Sequence, residues 1–467
     1  MNLRQEKSSK RSCLFLLLLF FVVLPFSVVA LVLLLWFGRE AAGNRLLKAR
    51  MTSLANQGYP VDDASAEVFY KDRTDPTDAN SWLEILATAG SAEFGASTEG
   101  VPVLGNVAEP PVELKEEWKE ERAARDFLEK WKSLRSDATR LSKDAKPVRF
   151  PIVFDSFNTI DTNRMGAFRT VGRLLYLQGI VAMRDGDTAG VRDSVGGLLG
   201  LARVNAGEPM VVSQLVSQAI DGMALGLLKD AIRFDLLHEV DLRLLLPQIL
   251  ELSNFKKDWE TAFAGERALA LPLFIDRRKA NAAGVTPVMS NSRDAILYID
   301  LIESILDVPM DDLSEFKTRL QAIEANLEMK TKASFLAQLD SIMTKQTMPS
   351  GAALGEAFIR SALQHRLAAI AIGLRLYEKK HGKLPSELKQ LSELSMDLQQ
   401  VSPTKNRSFG YRLEGSNAKL WGGSLRDVFG IPEEPPMIAP ESPDTGSPDR
   451  EQAEFWTWEL RKLNTYP

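Results

Sequence analysis

"DTNRMGAFRTVGRLLYLQGIVAMRDGDTAGVRDSVGGLLGLARVNAGEPMVVSQLVSQAIDGMALGLLKDAIRF" runs from Asp161 to Phe234. Apolar residues recur through it at steps of three and four, the period of helices that bury one face. Turn-forming residues divide it into three. Asp185, Gly186 and Asp187 make a turn after the first helix, Gly207 stops the second, and Pro209 opens the third. That follows the usual placing of proline just inside helix starts and glycine just past helix ends. Long helices joined by such short connections pack as neighbours. The class read here is therefore mostly α, a helical bundle or short solenoid.

With small residues at Gly179 and Ala182, the turn at Gly186 and Asp187, and Pro209 behind the second helix, the stretch resembles one tetratricopeptide-like hairpin. No second copy follows at that family's period of about 34 residues. Gly196 with Gly200, and Gly222 with Gly226, form small-xxx-small pairs. In lipid such pairs mark helix dimers, but Arg192, Arg203 and Lys229 oppose burial there, so close packing against neighbouring helices is expected.

Further helices are expected near Leu242–Ala264, Arg293–Leu306, Asp312–Met343 and Ala353–Lys380, with loops at "AAGVTPVMSNS" and "KQTMPSGA". Upstream, Leu114, Trp118, Leu128, Trp131, Leu134 and Leu141 give residues 112–141 an amphipathic helical seam whose simplest use is core packing. "AKPVRFPIVF" (Ala145–Phe154) is broken by Pro147 and Pro151 and should be extended. "GASTEGVPVLGNVAEPP" (Gly95–Pro111) reads as a surface linker.

Leu14 to Phe37, "LFLLLLFFVVLPFSVVALVLLLWF", is 24 residues without a charge. At about 1.5 Å per residue this makes about 36 Å of helix, enough to cross a hydrocarbon core of about 30 Å. A cleaved signal would have a shorter apolar region ending at small residues. The expectation is an uncleaved single-pass anchor, with Pro25 and Ser27 as sites for a kink. Basic residues flank both ends, with Arg4, Lys7, Lys10 and Arg11 before it and Arg39, Arg45, Lys48 and Arg50 after it. The short basic N-terminus is read as cytoplasmic and the rest as extracytoplasmic (periplasmic). Residues 39–58 should continue as a helix to Gly58 and Pro60.

At the other end, "SFGYRLEGSNAKLWGG" alternates Phe409, Tyr411 and Leu413 with polar residues, turns at Gly415–Asn417 and resumes at Leu420 and Trp421, the pattern of a small β-hairpin. "IPEEPPMIAPESPDTGSPDR" is proline-rich and extended. Phe455, Trp456 and Trp458 close the sequence, either docked on their own domain or offered to a partner.

No kit for common chemistry appears. His238 is followed by Glu239, but Leu242 stands where HExxH needs its second histidine, and GxSxG, GxxxxGK[ST] and GxGxxG are missing. His365 and His381 lie within and at the end of the last long helix. Asp300 with Glu303, and Asp185 with Asp187, are carboxylate pairs better explained as solvated helix faces and turn formers. Cys13 is the single cysteine, which excludes an internal disulfide and a cysteine zinc site. No catalytic, cofactor or metal residue is assigned, and enzyme activity is not expected.

A long helix ending at Tyr377, then Gly382, Pro385, Leu388, Leu391 and a hairpin with Tyr411, resembles the tail of type IV pilin-like and pseudopilin domains. It is also similar to uncharacterised membrane-anchored helical proteins of planctomycete-type bacteria, whose pattern would be met by Gly58-Tyr59-Pro60 and "NSWLEIL" (Asn80–Leu86). The pilin likeness implies an assembly component. The chain departs from it in lacking a prepilin processing site, and where pseudopilins carry an acidic calcium loop it has "WGGSLRDVFGIPEEPP", with Asp427 nearly alone.

The net charge is −5, yet the first 50 residues hold eight Lys/Arg against Glu6 and Glu40, which leaves the remainder at −11. An acidic body without a basic stripe is a poor ligand for phosphate backbones, so nucleic acid is excluded. The expected organisation is a basic N-terminus (1–13), a transmembrane helix in the lipid bilayer (14–37), a juxtamembrane helix and linker (38–111), an α-helical domain (112–400), a β-hairpin element (401–430) and a proline-rich tail (431–467). The expected role is protein interaction or scaffolding outside the membrane. An envelope enzyme built from scattered carboxylates and His238, or a pseudopilin-like component, stand as alternatives.

Overall fold

The computed structural model describes residues 24–107, 110–111, 113–155, 161–284, 291–348, 351–404, 407–422 and 457–461. The expected N-terminal segment 1–13, the first part of the apolar run, Asp427, the proline-rich stretch, Phe455 and Trp456 lie outside the described residues. Within them the chain is mostly helical, with one small antiparallel sheet.

Helix α1 (Leu24–Asn56) is one piece. Its apolar part from Phe26 to Phe37 is exposed, with Leu34 and Phe37 among the most open side chains, whereas Leu47 and Leu54 further along are buried. By length and composition alone, α1 can cross a membrane, and Pro25 falls in the first turn of its described part. The second helix that passes the same test, Val211–Arg233, is 61% buried inside the protein and is a core helix. Gly58, at φ +83°, takes the left-handed turn that ends the α1 corner.

Helices α2 (Asp63–Lys71), α3 (Ala79–Ala89) and α4 (Ala92–Ser97) follow. They bring Phe69, Tyr70, Trp82 and Phe94 inward, and Val101 from the expected linker is buried in the same core. The stretch from Gly95 is thus part of the packed body. Its apolar Val101 and Val103 outweigh the turn-forming glycines.

The seam over 112–141 is two helices, α5 (Glu121–Lys130) and α6 (Lys132–Ser142). The break falls at Trp131, whose backbone leaves helical geometry while its indole packs tilted against Phe94 at 4.9 Å and donates from Nε1 to Ser97 Oγ at 2.9 Å. A half-buried contact for a large amphipathic ring outweighs one residue of helix continuity. Trp118, Leu128 and Leu134 are buried, as core packing requires. The following segment is extended, Asp75 and Val148 forming a parallel bridge.

The central stretch forms α7 (Thr162–Asp185), α8 (Thr188–Ala206) and α9 (Val211–Arg233). Gly186 at φ +67° caps α7, and Asp187 accepts from Gly190 N at 3.0 Å to start α8. These helices touch pairwise and are enclosed: α3 and α5 lie on α7, and α6 lies on α8. A Cβ on Gly200 would strike the Ser142 carbonyl, and one on Gly179 would meet Leu227 and Ser194. At Gly196 and Gly222, by contrast, nothing lies within 4 Å, so the expectation that neighbours press on all these glycines fails there.

The expected helix over 242–264 is α10 (Glu239–Leu252) and α11 (Lys256–Ile275). Ser253 donates back to Leu250 O, and Asn254 Oδ1 accepts from Lys256 N at 3.3 Å, a side-chain turn that restarts the chain in a new direction. After α12 (Arg277–Ala282) and α13 (Asn291–Leu306), the stretch 312–343 divides into α14 (Leu313–Lys332), α15 (Phe335–Leu339) and α16 (Ile342–Thr347). Ser334 caps α15 by accepting from Ala337 N, and buried Asp294 caps α16 by accepting from Met343 N and Thr344 N. Helix α17 (Gly351–His381) runs the length of the body beside α9, α10 and α14. Phe255, Trp259, Phe263, Phe316 and Phe358 form an aromatic cluster between α11, α14 and α17.

The hairpin is strand β1 (Gly410–Glu414) with β2 (Asn417–Trp421), and Gly415 at φ +65° makes the turn. A third strand, β3 (Thr457–Leu460), pairs antiparallel with β2, setting Leu420 opposite Trp458. Trp458 is buried, so this part of the aromatic terminus docks on its own domain.

Candidate functional site

Most of the singled-out polar residues serve the fold. Asp300 and Glu303 both face Arg50 of α1, at 2.8 and 3.7 Å. Asp185 takes a two-pronged contact from Arg125 at 2.6 and 2.9 Å. His238 precedes α10, its N–H donating to Asp241 Oδ2 at 3.1 Å, and Asp241 turns to Arg192 at 3.2 Å. His381 stacks on Tyr377 at 4.2 Å and faces Glu393 at 3.4 Å. The three histidines are not brought together, and among the described residues no group of three His, Cys, Asp or Glu could hold a metal ion.

The concentration of titratable groups lies elsewhere, in a polar seam at the junction of α8, α9, α11 and α17. At one end Glu208, fully buried, forms a 2.7 Å ion pair with Arg164 of α7 and accepts from Ser213 Oγ at 2.7 Å. Arg164 in turn lies 4.8 Å over the Phe150 ring. Burial still raises the Glu208 carboxyl above its ordinary range despite the arginine. Next to it Glu266 of α11 accepts from Val211 N at 2.9 Å, capping the first turn of α9 from outside that helix. With only that backbone donor against desolvation, its pKa is pushed up to about 7.

At the other end Asp221 of α9 is raised well above the carboxylate range by burial and by the charge of Asp258. Asp258, on α11, is pushed up to about 6, also by burial first. His365 of α17 is buried and bonds through Nδ1 to Ser361 O at 2.8 Å. The carbonyl can only accept, so Nδ1 carries the proton and Nε2 presents its lone pair. Burial pulls its pKa down to about 4, keeping the ring neutral.

Between these helices is a cavity of about 20 Å³ for water, lined by Arg203, Gln214, Ser217, Asp221, Asp258 and Ser361. That is room for one water molecule. The larger recesses are open grooves: one of about 410 Å³ beside α1 and one of about 460 Å³ between α3 and α6. Neither groove is lined by Glu208, Asp221, Asp258 or Glu266.

Sequence reading passed over Glu208, Asp221, Asp258 and Glu266. For two of these a signal was present. Asp221 lies four residues from both Ser217 and Leu225, and Glu266 four from Ala262 and Ala270, so each carboxylate falls on the inward stripe of an otherwise apolar helix. Set beside known proteins, the chain matches no family model, no curated protein and no solved structure.

Proposed function

We propose that the protein is a single-pass membrane-anchored scaffold: α1 holds an acidic helical body at the bilayer, and the body serves protein interaction outside the cytoplasm. The observation that carries this reading is the contrast along α1, bare from Phe26 to Phe37 and packed into the body at Leu47 and Leu54. One unbroken helix would serve as both membrane span and core element, which holds the body close against the membrane.

An interaction role is supported over catalysis by the separation of acids from open space, since a substrate reaching Asp221 or Asp258 would have to enter a cavity the size of one water. The groove between α3 and α6, lined by Glu84, Lys130, Trp131, Asp137 and Arg140, offers the mixed charge and aromatic edge of a protein-binding surface. The tetratricopeptide-like character of α7 and α8 and the pilin-type ancestry of the tail belong to this proposal. The second is supported by α17 leading through one 3₁₀ turn (Leu388–Leu394) into the sheet.

The test has two arms. A reporter fused after Pro467 should be active only outside the cytoplasm, and the full chain should stay in the membrane pellet after alkaline extraction. A cytoplasmic reporter or release by alkali would sink the anchor and its orientation. For the role, charge reversal at Glu84 and Arg140 should abolish a site-specific crosslink from Ser133 while the circular dichroism spectrum is unchanged. A crosslink insensitive to both changes would remove the groove from consideration.

A further inference from the structure

Besides the bare part of α1, exposed apolar side chains gather at the corner between α14 and α15, as they do in the pair Val240 and Leu244 on α10. Phe335 is 73% exposed, Met329 67% and Leu336 48%, all at the corner where α14 ends and α15 begins. Ser334 caps α15, so the corner is a formed turn that holds Phe335 and Leu336 outward.

Its position is set by α1. Asp340, the residue after α15, forms an ion pair with Arg39, the first charged residue after the apolar run. Arg39 also lies 5.7 Å over the Trp36 ring. Lys330, Thr331 and Ala337 line the same groove as Ala42 and Leu46 of α1. At about 1.5 Å per residue, Phe37 stands only about 3 Å along the axis from Arg39. The corner therefore lies between the levels of Arg39 and Leu46, within about 10 Å along the axis of the point where α1 passes from apolar to charged. Lys330 and Lys332 flank the apolar side chains and are exposed, Lys332 pairing with Glu328 one turn before it.

We propose that the α14–α15 corner is a second membrane contact, in which Met329, Phe335 and Leu336 enter the headgroup and acyl boundary of the bilayer that holds α1 and Lys330 and Lys332 meet lipid phosphates. This inference rests on the anchor reading of α1. Aromatic and aliphatic side chains bordered by lysine are the composition that settles at that boundary. Continuity with the bare face of α1 selects a lipid surface as occupant. An apolar patch held this near Arg39 stands beside the interface if α1 spans.

The experiment uses the full chain with Cys13→Ser, carrying one cysteine at a time at Leu34, Phe335, Gln338 or Val240. Each is labelled with an environment-sensitive fluorophore in vesicles of phosphatidylcholine and phosphatidylglycerol, with and without a nitroxide lipid that quenches near the headgroups. Gln338 keeps the apolar side chains intact, and Val240 on α10 is the exposed apolar reference. The expected result is blue-shifted emission at positions 335 and 338 with at least twofold more nitroxide quenching than at 240. Phe335→Asp with Leu336→Asp should abolish the effect at 338. If position 34 is buried in lipid while 335 and 338 match 240, the corner stands in water and the proposal is overturned with the anchor intact. A blue shift at 335 without lipid quenching assigns the patch to a second copy of the chain, which also overturns it. Loss of lipid contact at 34 as well would remove the anchor reading itself.

Discussion

A carboxylate can be chosen as a helix cap without being chosen as a charge. Glu266 meets Val211 N in a dry setting, and its pKa near 7 means the folded chain holds that proton more tightly than an open chain, whose glutamates titrate near 4.3. The stability this group contributes is whole below about pH 4 and is lost as pH rises through 7. Glu266→Gln, which keeps the accepting oxygen, should raise stability at pH 8 by about 1–3 kcal/mol and leave pH 4 nearly unchanged. Urea midpoints of variant and wild type at the two pH values check this, and parallel profiles would remove the protonated carboxyl from the account. His365 has the opposite sign. Its folded pKa near 4 lies below the ordinary 6.5, so its contribution is whole above pH 6.5 and is lost as pH falls through 4. His365→Gln should flatten the acid limb of the same curve. Glycines make a sharper comparison, because Gly200 and Gly196 share α8. Gly200→Ala drives a methyl into the Ser142 carbonyl and should cost about 1–3 kcal/mol, whereas Gly196→Ala meets open space and should gain about 0.5–1 kcal/mol. Thermal midpoints that move together would contradict the packing described.

At the scale of elements, the sequence was most readable where local rules and tertiary demands agree. The turn at Gly186 and Asp187 and the starts and stops of α7, α8 and α9 lie within a few residues of their expected places because capping chemistry is local. Where a side chain had to satisfy a distant neighbour, legibility failed. Trp131 breaks a good amphipathic seam to reach Phe94 and Ser97, and Ser253 with Asn254 redirect a run that periodicity alone would continue. Strand β3 was hidden for the same reason, since a four-residue strand has no pattern until its partner is known. The buried polar seam was hidden because a carboxylate on an apolar stripe reads as a lapse in periodicity. Another buried pair shows how elements are joined: Arg375 of α17 donates to Ile232 O, near the open carbonyl end of α9, at 2.8 and 3.1 Å and pairs with Glu378 at 2.5 Å. Arg375→Met would remove the cation paired with Glu378 in a dry place and leave Ile232 O with only backbone donors such as Asp235 N at 3.2 Å. It should cost about 3–5 kcal/mol by denaturant titration, and a loss below 1 kcal/mol would show that water replaces the arginine.

Over the whole molecule, α1 decides how the body is held. Glu40 accepts from Ser292 N at 3.2 Å and Arg50 meets Asp300 ten residues later, so α1 and α13 run side by side in the same direction. The ionic part of that contact is exposed and should contribute little, so Arg50→Ala is expected to cost less than about 1 kcal/mol. Leu54 of α1 is buried in the core, and Leu54→Ala should cost about 2–4 kcal/mol and speed amide exchange over residues 45–56. If Arg50→Ala loosened those amides more than Leu54→Ala, the attachment would be electrostatic instead.

The pairing of Trp421 with Thr457 brings together residues that 35 others separate along the chain. The stretch from Gly422 to Trp456 therefore departs from and returns to one spot on the sheet. A single chain break between those two points would leave each strand of the β2–β3 ladder whole. Strand β3 would become a separate peptide, held by its ladder to β2 and by Trp458 in the core. Such a peptide can be displaced by an intact copy added from solution, so the nicked protein would behave as a two-piece complex whose smaller piece is exchangeable.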